Sequence, residues 1–155
     1  MTPIPLDELL PHRPPMVLID SVESFDVEAK RLTARVTIGE NQIFFDGEGV
    51  PNWAAIEFMA QAAAALAGCF DKERDPARPA RPGLLLGTRR LDLCVESFAA
   101  GRTYRVTAAS TFWDDETAAF ACTVVDDAGT VVAEAALNAF RPPDFGTFIK
   151  EQTET

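Results

Sequence analysis

The sequence predicts an α+β domain in which one long apolar helix is wrapped by a strongly curved antiparallel sheet. Three observations carry this prediction. The segment WAAIEFMAQAAAALAGCF, residues 53–70, has helical composition, and between Trp53 and Ala67 only Glu57 and Gln61 are polar. The segments on either side of it are rich in β-formers and alternate in polarity. Two strands precede the helix and three or four follow it, so a single helix must serve the whole sheet.

In chain order, PIPLDELLPHRPPM reads as a short helical turn around Leu6 to Leu10 that Pro11 stops, followed by a proline-bounded loop carrying the only histidine, His12. MVLIDSVESFDVEA and KRLTARVTIGE form a hairpin that turns near Glu28 to Lys30. NQIFFDGEGVPN is a loop, and Pro51-Asn52 supplies start chemistry for the helix. A helix apolar on nearly every side belongs inside a protein. At ~1.5 Å per residue it spans ~27 Å, the width of a small domain.

DKERDPARPARPG is a charged, proline-rich crossing loop. GLLLGTRRLDLCVESF, TYRVTAASTFWDDE and TAAFACTVVDDAGTVVAEAALNAF then give three or four strands, with turns at Ala99-Ala100-Gly101 and Asp126-Asp127-Ala128-Gly129. The tail beyond about residue 142 is peripheral. This plan is the hotdog arrangement, expected as one domain over residues 1–155 and as at least a dimer, because an open sheet leaves edges to pair.

Composition narrows the function. At 155 residues, 47% hydrophobic and 25% charged, the chain can bury a core without staples. No window approaches the ~18 uninterrupted apolar residues of a membrane span. The amino terminus places prolines and acids where a secretory signal needs a basic patch and an apolar run. Cys69, Cys94 and Cys122 are odd in number, dispersed and flanked by apolar residues, as free thiols in a reducing compartment would be, so a cytoplasmic location is expected. A net charge of -10 argues against nucleic acid as a partner. Even so, Lys72, Arg74, Arg78, Arg81, Arg89 and Arg90 are six of the fourteen basic residues. They form either a solvated loop or a docking patch for an acidic partner.

Glu57 and Gln61, four residues apart, share one face of the helix. A carboxylate in an apolar setting is costly unless its pKa rises or it gains a partner, and a group so poised serves as a general acid or base. Alternatively, Glu57 faces a wet dimer seam or caps the loop before the helix. Amides near Trp53 and Ala54 are candidates to polarise a carbonyl oxygen. His12 is the other titrating candidate. The cysteine spacing does not suit zinc, and no glycine-rich nucleotide loop is present. Neither a metal nor a cofactor is expected.

LPHRPPMVLIDSV resembles the opening of the β-hydroxyacyl-acyl-carrier-protein dehydratases, and VPNWAAIEFMAQAAAALAG is similar to their central helix with its Ile-Glu and Ala-Gln pattern. GLLLGTRRLDLCVESFAAGRTYRV and VVAEAALNAF resemble their later strands. The sequence is closer still to the ApeP-like branch, associated with bacterial aryl-polyene pigment synthesis. The resemblance implies a cofactor-free dehydration of a 3-hydroxyacyl thioester to the trans-2-enoyl thioester by a histidine and a helix carboxylate from different subunits of a hotdog dimer. Glu57 falls on the carboxylate position. Where the family has a Gly-His-Phe-Pro-Gly loop, this chain has FFDGEGVPNW, without a histidine.

His12 is then the base that removes the α-proton, and Glu57, kept protonated by its apolar site, protonates the departing hydroxyl. Asn52, Trp53, Ala54 and Gln61 contribute to substrate binding, and Phe58, Met59, Leu85, Leu86 and Gly87 to the tunnel. Arg78, Arg81, Arg89 and Arg90 meet an acidic acyl carrier protein that presents its acyl-phosphopantetheine. A homodimer or a heterodimer with a related hotdog subunit is expected, with no membrane partner. The alternatives are a hotdog thioesterase, whose helix carboxylate activates water, and a non-catalytic subunit that supports an active paralogue.

Overall fold

The structure, a computed structural model, describes residues 4–77, 83–114, 116–141 and 150. The chain begins with a four-residue helical turn, α1 (Leu6–Leu9), followed by strands β1 (Ser21–Asp26), β2 (Arg31–Thr37) and β3 (Gly49–Pro51). A 3-10 turn at Asn52–Ala54 leads into the central helix α2 (Ala55–Arg74). After it come β4 (Leu84–Leu93), β5 (Ser97–Ala99), β6 (Thr103–Trp113), β7 (Thr117–Val125) and β8 (Val131–Phe140).

Six strands form one antiparallel sheet in the order β1-β2-β6-β7-β8-β4. Inward positions alternate along the central strands: Leu32, Ala34 and Val36 on β2, Tyr104, Val106 and Ala108 on β6, Phe120, Cys122 and Val124 on β7. Alternation of this kind marks a sheet with one face on a core and the other toward water. Register shifts interrupt the pairings of β1 with β2, β4 with β8, β6 with β7 and β7 with β8. Each such irregularity bends its strand and adds twist, which lets the sheet curl around α2. By length and composition the helix over Asn52–Arg74 would suit a membrane, but 67% of its most apolar window is buried inside the fold.

Three expectations change. The stretch GLLLGTRRLDLCVESF is two strands: β5 leaves the main sheet and pairs with β3, which lies in a segment expected to be loop. Strands of three residues are too short to show a period. The helix runs past Phe70 to Arg74, because DKER has good helix formers whose charges, apart from Asp71, reach outward. Asn52 does not cap the helix. It sits inside the 3-10 turn and donates its side-chain amide to the Val95 carbonyl at 2.9 Å, tying the helix start to the β4–β5 connection. The expected hairpin turns lie where glycine or a left-handed residue permits them, at Lys30, Gly101 and Gly129.

Gly68 decides how α1 meets α2. A Cβ at this position would lie 2.5 Å from the Leu9 carbonyl oxygen, so the short helix docks on bare backbone. Gly68→Ala therefore pushes α1 off the central helix. A loss of about 1–3 kcal/mol, as for overpacked cores, is expected in urea denaturation. The thiols give an independent check of core burial. Burial, with Glu73 adding to it, pushes the Cys69 thiol up to about 11, and burial pushes Cys122 up to about 12. Both stay protonated and unreactive at pH 8, while exposed Cys94 is expected to be the one rapidly titrated by a thiol reagent in the native state.

Candidate active site

The site is organised by a side chain that the rest of the helix would not tolerate without partners. Gln61 is completely buried. Its Oε1 accepts the backbone N–H groups of Leu18, at 2.8 Å, and Ile19, at 3.4 Å. Its Nε2 donates to the Met16 carbonyl at 2.7 Å and to Glu57 Oε1 at 3.1 Å. All four hydrogen-bonding positions of the amide are thereby used. From the other side, buried Gln42 donates to the Leu18 carbonyl at 2.7 Å. The extended segment after the proline loop is thus pinned to α2 by side chains, with no strand pairing required.

That pinning delivers His12 to Glu57. His12 follows α1 and Pro11 directly, and Arg13 folds back over the same loop, donating to the carbonyls of Leu10 and His12. His12 Nε2 stands 3.6 Å from Glu57 Oε1, with the two side chains 28% and 33% exposed. Both line a cavity of about 210 Å³. Its helix wall is Ala60, Ala63, Ala64 and Ala67, and its sheet wall includes Phe120, Leu137 and Ala139. Gly83 and Arg141 are also among its lining residues. Arg141 is buried, pairs with the buried carboxylate of Asp71, and places its guanidinium 4.9 Å from the centre of the Trp113 ring.

The sequence-predicted residues divide accordingly. His12, Glu57 and Leu85 meet at the cavity, and Gln61 supports it from behind. The buried polar group of the helix is Gln61, whereas Glu57 stands one turn away at the edge of the cavity, partly open to solvent. Phe58 and Met59 do not line the cavity: both are completely buried in the core. Ala54 is completely buried and does not line the cavity, and half-exposed Trp53 packs edge-on against Phe44 at 5.0 Å. Asn52 serves the β4–β5 connection. Leu86, 63% exposed, lines a shallow groove with Phe112, away from the dyad, and Gly87 does not line the dyad cavity. Arg89 and Arg90 are exposed on β4, with Arg90 paired to Asp92 at 2.5 Å. Arg78 and Arg81 lie outside the described residues, as do residues 142–149 of the tail.

Sequence reasoning missed the alanine wall and Arg141. A signal for the first was present, since residues 57, 60, 64 and 67 follow the three-and-four spacing of one helix face. Nothing local marked Arg141, which acquires its place through Asp71, seventy positions away in the chain.

A single apolar helix inside a curled antiparallel sheet, with a histidine and a carboxylate meeting at a cavity beside the helix, defines a hotdog protein with a potential acid–base site. The chain belongs to the ApeP-like dehydratases: the family model described as ApeP dehydratase matches residues 4–150. A chain of the dehydratase heterocomplex ApeI:P from Xenorhabdus doucetiae is 32% identical, with a TM-score of 0.84 over 95% of this chain and 96% of that one. The 3-hydroxyacyl-[acyl-carrier-protein] dehydratase FabZ of Chlamydia pneumoniae is 39% identical over 88 residues, 54% of this chain. The match spans about half the length of that curated relative, 56%. A hypothetical thioesterase from Streptococcus pneumoniae TIGR4, solved with coenzyme A, is 7% identical with a TM-score of 0.59 over 79% of this chain and 84% of its own, a likeness of fold alone.

Gln61→Leu tests the amide clamp. Leucine fills a similar volume but leaves the buried Leu18 and Ile19 amides without the acceptor that Gln61 supplies. A loss of about 2–6 kcal/mol is expected for the two groups at about 1–3 kcal/mol each. Denaturation measures it, and faster hydrogen exchange at the Leu18 amide locates it.

Proposed function

We propose that this chain dehydrates a 3-hydroxyacyl thioester carried on acyl carrier protein to the trans-2-enoyl thioester, in fatty-acid-like or aryl-polyene synthesis in the cytoplasm. The observation that carries the reading is the approach of His12 Nε2 to within 3.6 Å of Glu57 Oε1 at the cavity. Elimination needs one group to take the proton α to the thioester and a proton to reach the leaving hydroxyl, both within hydrogen-bond reach of the substrate. A dyad at this spacing flanks adjacent carbons of one acyl chain. The chain beyond them runs along the alanine face from Glu57 to Ala67, about 15 Å at ~1.5 Å per residue. Family membership and the FabZ match support the same chemistry.

The partner is a related hotdog subunit. β4 ends the six-stranded sheet and exposes Leu85, Leu86 and Leu91, an edge suited to strand pairing. The heterocomplex formed by the similar Xenorhabdus chain supports a heterodimer. Arg89 and Arg90, exposed on the same edge, supply a landing surface for the acidic carrier protein.

The test presents a carrier-bound 3-hydroxyacyl substrate and a saturated one to the wild type, His12→Ala and Glu57→Gln, with the partner subunit added. Enoyl product from the wild type and a loss of about 10²–10⁴-fold in each variant is expected, the usual contribution of an acid–base group. Release of free thiol without enoyl product sinks the dehydratase reading, and full activity in a variant removes that residue from the reaction.

A further inference from the structure

The two nitrogens of His12 have opposite surroundings. Nε2 faces Glu57 across 3.6 Å, while Nδ1 is sealed inside the chain with no hydrogen-bond partner among the described residues. Because the atom is covered by its own chain, neither bulk solvent nor a partner subunit reaches it. A buried N–H without an acceptor loses its hydrogen bond to water and gains nothing in return, whereas a bare ring nitrogen carries no donor to satisfy. Across the gap, Glu57 Oε1 already accepts from Gln61 Nε2 at 3.1 Å, so this oxygen is held as an acceptor. A proton on His12 Nε2 would make a second donor converging on it.

We propose that His12 is held as the tautomer protonated at Nε2, and that it acts as a hydrogen-bond donor while Glu57 is the residue that moves the proton. This assignment rests on the dehydratase reading and departs from the roles expected from the sequence, since Glu57 now carries out both proton transfers. With its lone pair turned into the protein, neutral His12 has no basic nitrogen to offer a substrate in the cavity. Glu57 Oε2, the oxygen that does not receive the Gln61 amide, takes the α-proton. The Cα–H bond breaks and its electron pair becomes the Cα=Cβ double bond. The Cβ–O bond breaks with its pair remaining on the hydroxyl oxygen, which takes the proton back from Oε2 and leaves as water. Glu57 ends as the carboxylate it began as. His12 Nε2–H donates to the departing oxygen as charge develops there, and Gln61 is a positioning residue that keeps Oε1 out of the proton transfer.

His12 is the sole histidine of the chain, so a histidine-labelled full-length chain gives a spectrum of this one ring. The ¹⁵N resonances at pH 8, with and without unlabelled partner subunit, are expected to show a bare Nδ1 and a protonated Nε2. A protonated Nδ1, in either the other tautomer or the imidazolium, overturns the proposal. Turnover gives the second readout, because a glutamine amide can replace an Nε2–H donor and cannot replace a base. His12→Gln is expected to stay within about tenfold of wild type while His12→Ala falls ~10²-fold, the scale of a lost donor to developing charge. Equal collapse of both variants, with the fold intact by circular dichroism, overturns the donor role. A wild type that forms no enoyl product defeats the dehydratase reading instead, and the ring spectrum still decides the tautomer.

Discussion

The arrangement of this protein depends on one buried amide. A glutamine in the middle of an apolar helix is destabilising unless all its donors and acceptors are met, and four partners meet those of Gln61. Three of the four lie on the backbone of residues 16–19, a segment that belongs to no sheet. The helix therefore holds the amino-terminal strap through a side chain, and the strap cannot slide without orphaning the amide. The fourth partner is Glu57, so one residue fixes both the course of the chain that carries His12 and the orientation of the carboxylate it reaches. Gly68 completes the arrangement about two turns further along, where only bare backbone lets α1 settle against the helix.

The central helix serves two environments. Its Phe58, Met59 and Leu66 are completely buried in the core. Its Ala60, Ala63, Ala64 and Ala67 have side chains too short to reach the opposing strands, and the space they leave is the cavity. Asp71 and Arg141 form a buried pair bordering this space, with Trp113 against the guanidinium. Ion pairs in such surroundings gain little net stability, because desolvation offsets the attraction. Their effect here is geometric: Arg141 joins the end of β8 to the last turns of α2.

Placing the histidine and the carboxylate on one chain changes what a partner subunit must supply. The dyad is assembled by α1, the proline loop and α2 alone, so sheet-edge pairing is not required to bring the two groups together. Among the described residues the β4 edge is unpaired and Glu57 keeps an open flank.

Much of the fold was legible in the sequence because its signals are local. The helix announced itself through composition, the long strands through alternation, and the hairpin turns through glycine and aspartate. The short strands β3 and β5 were not legible, since each is defined only by the other. In the site, Glu57 and Gln61 stood out as the polar pair of an apolar helix, and their spacing already placed them on one face. Their relative depth did not follow from that spacing. Which of the two is buried depends on what packs over each, and that is settled by the strap of residues 16–19. The distance between His12 and Glu57, forty-five positions apart, and the seal over one nitrogen of the imidazole were likewise decided in three dimensions. Sequence determines which groups are present and which face of an element they share. Only the packing of separate segments determines what each group touches, because desolvation and hydrogen bonding act between surfaces that the chain brings together from afar.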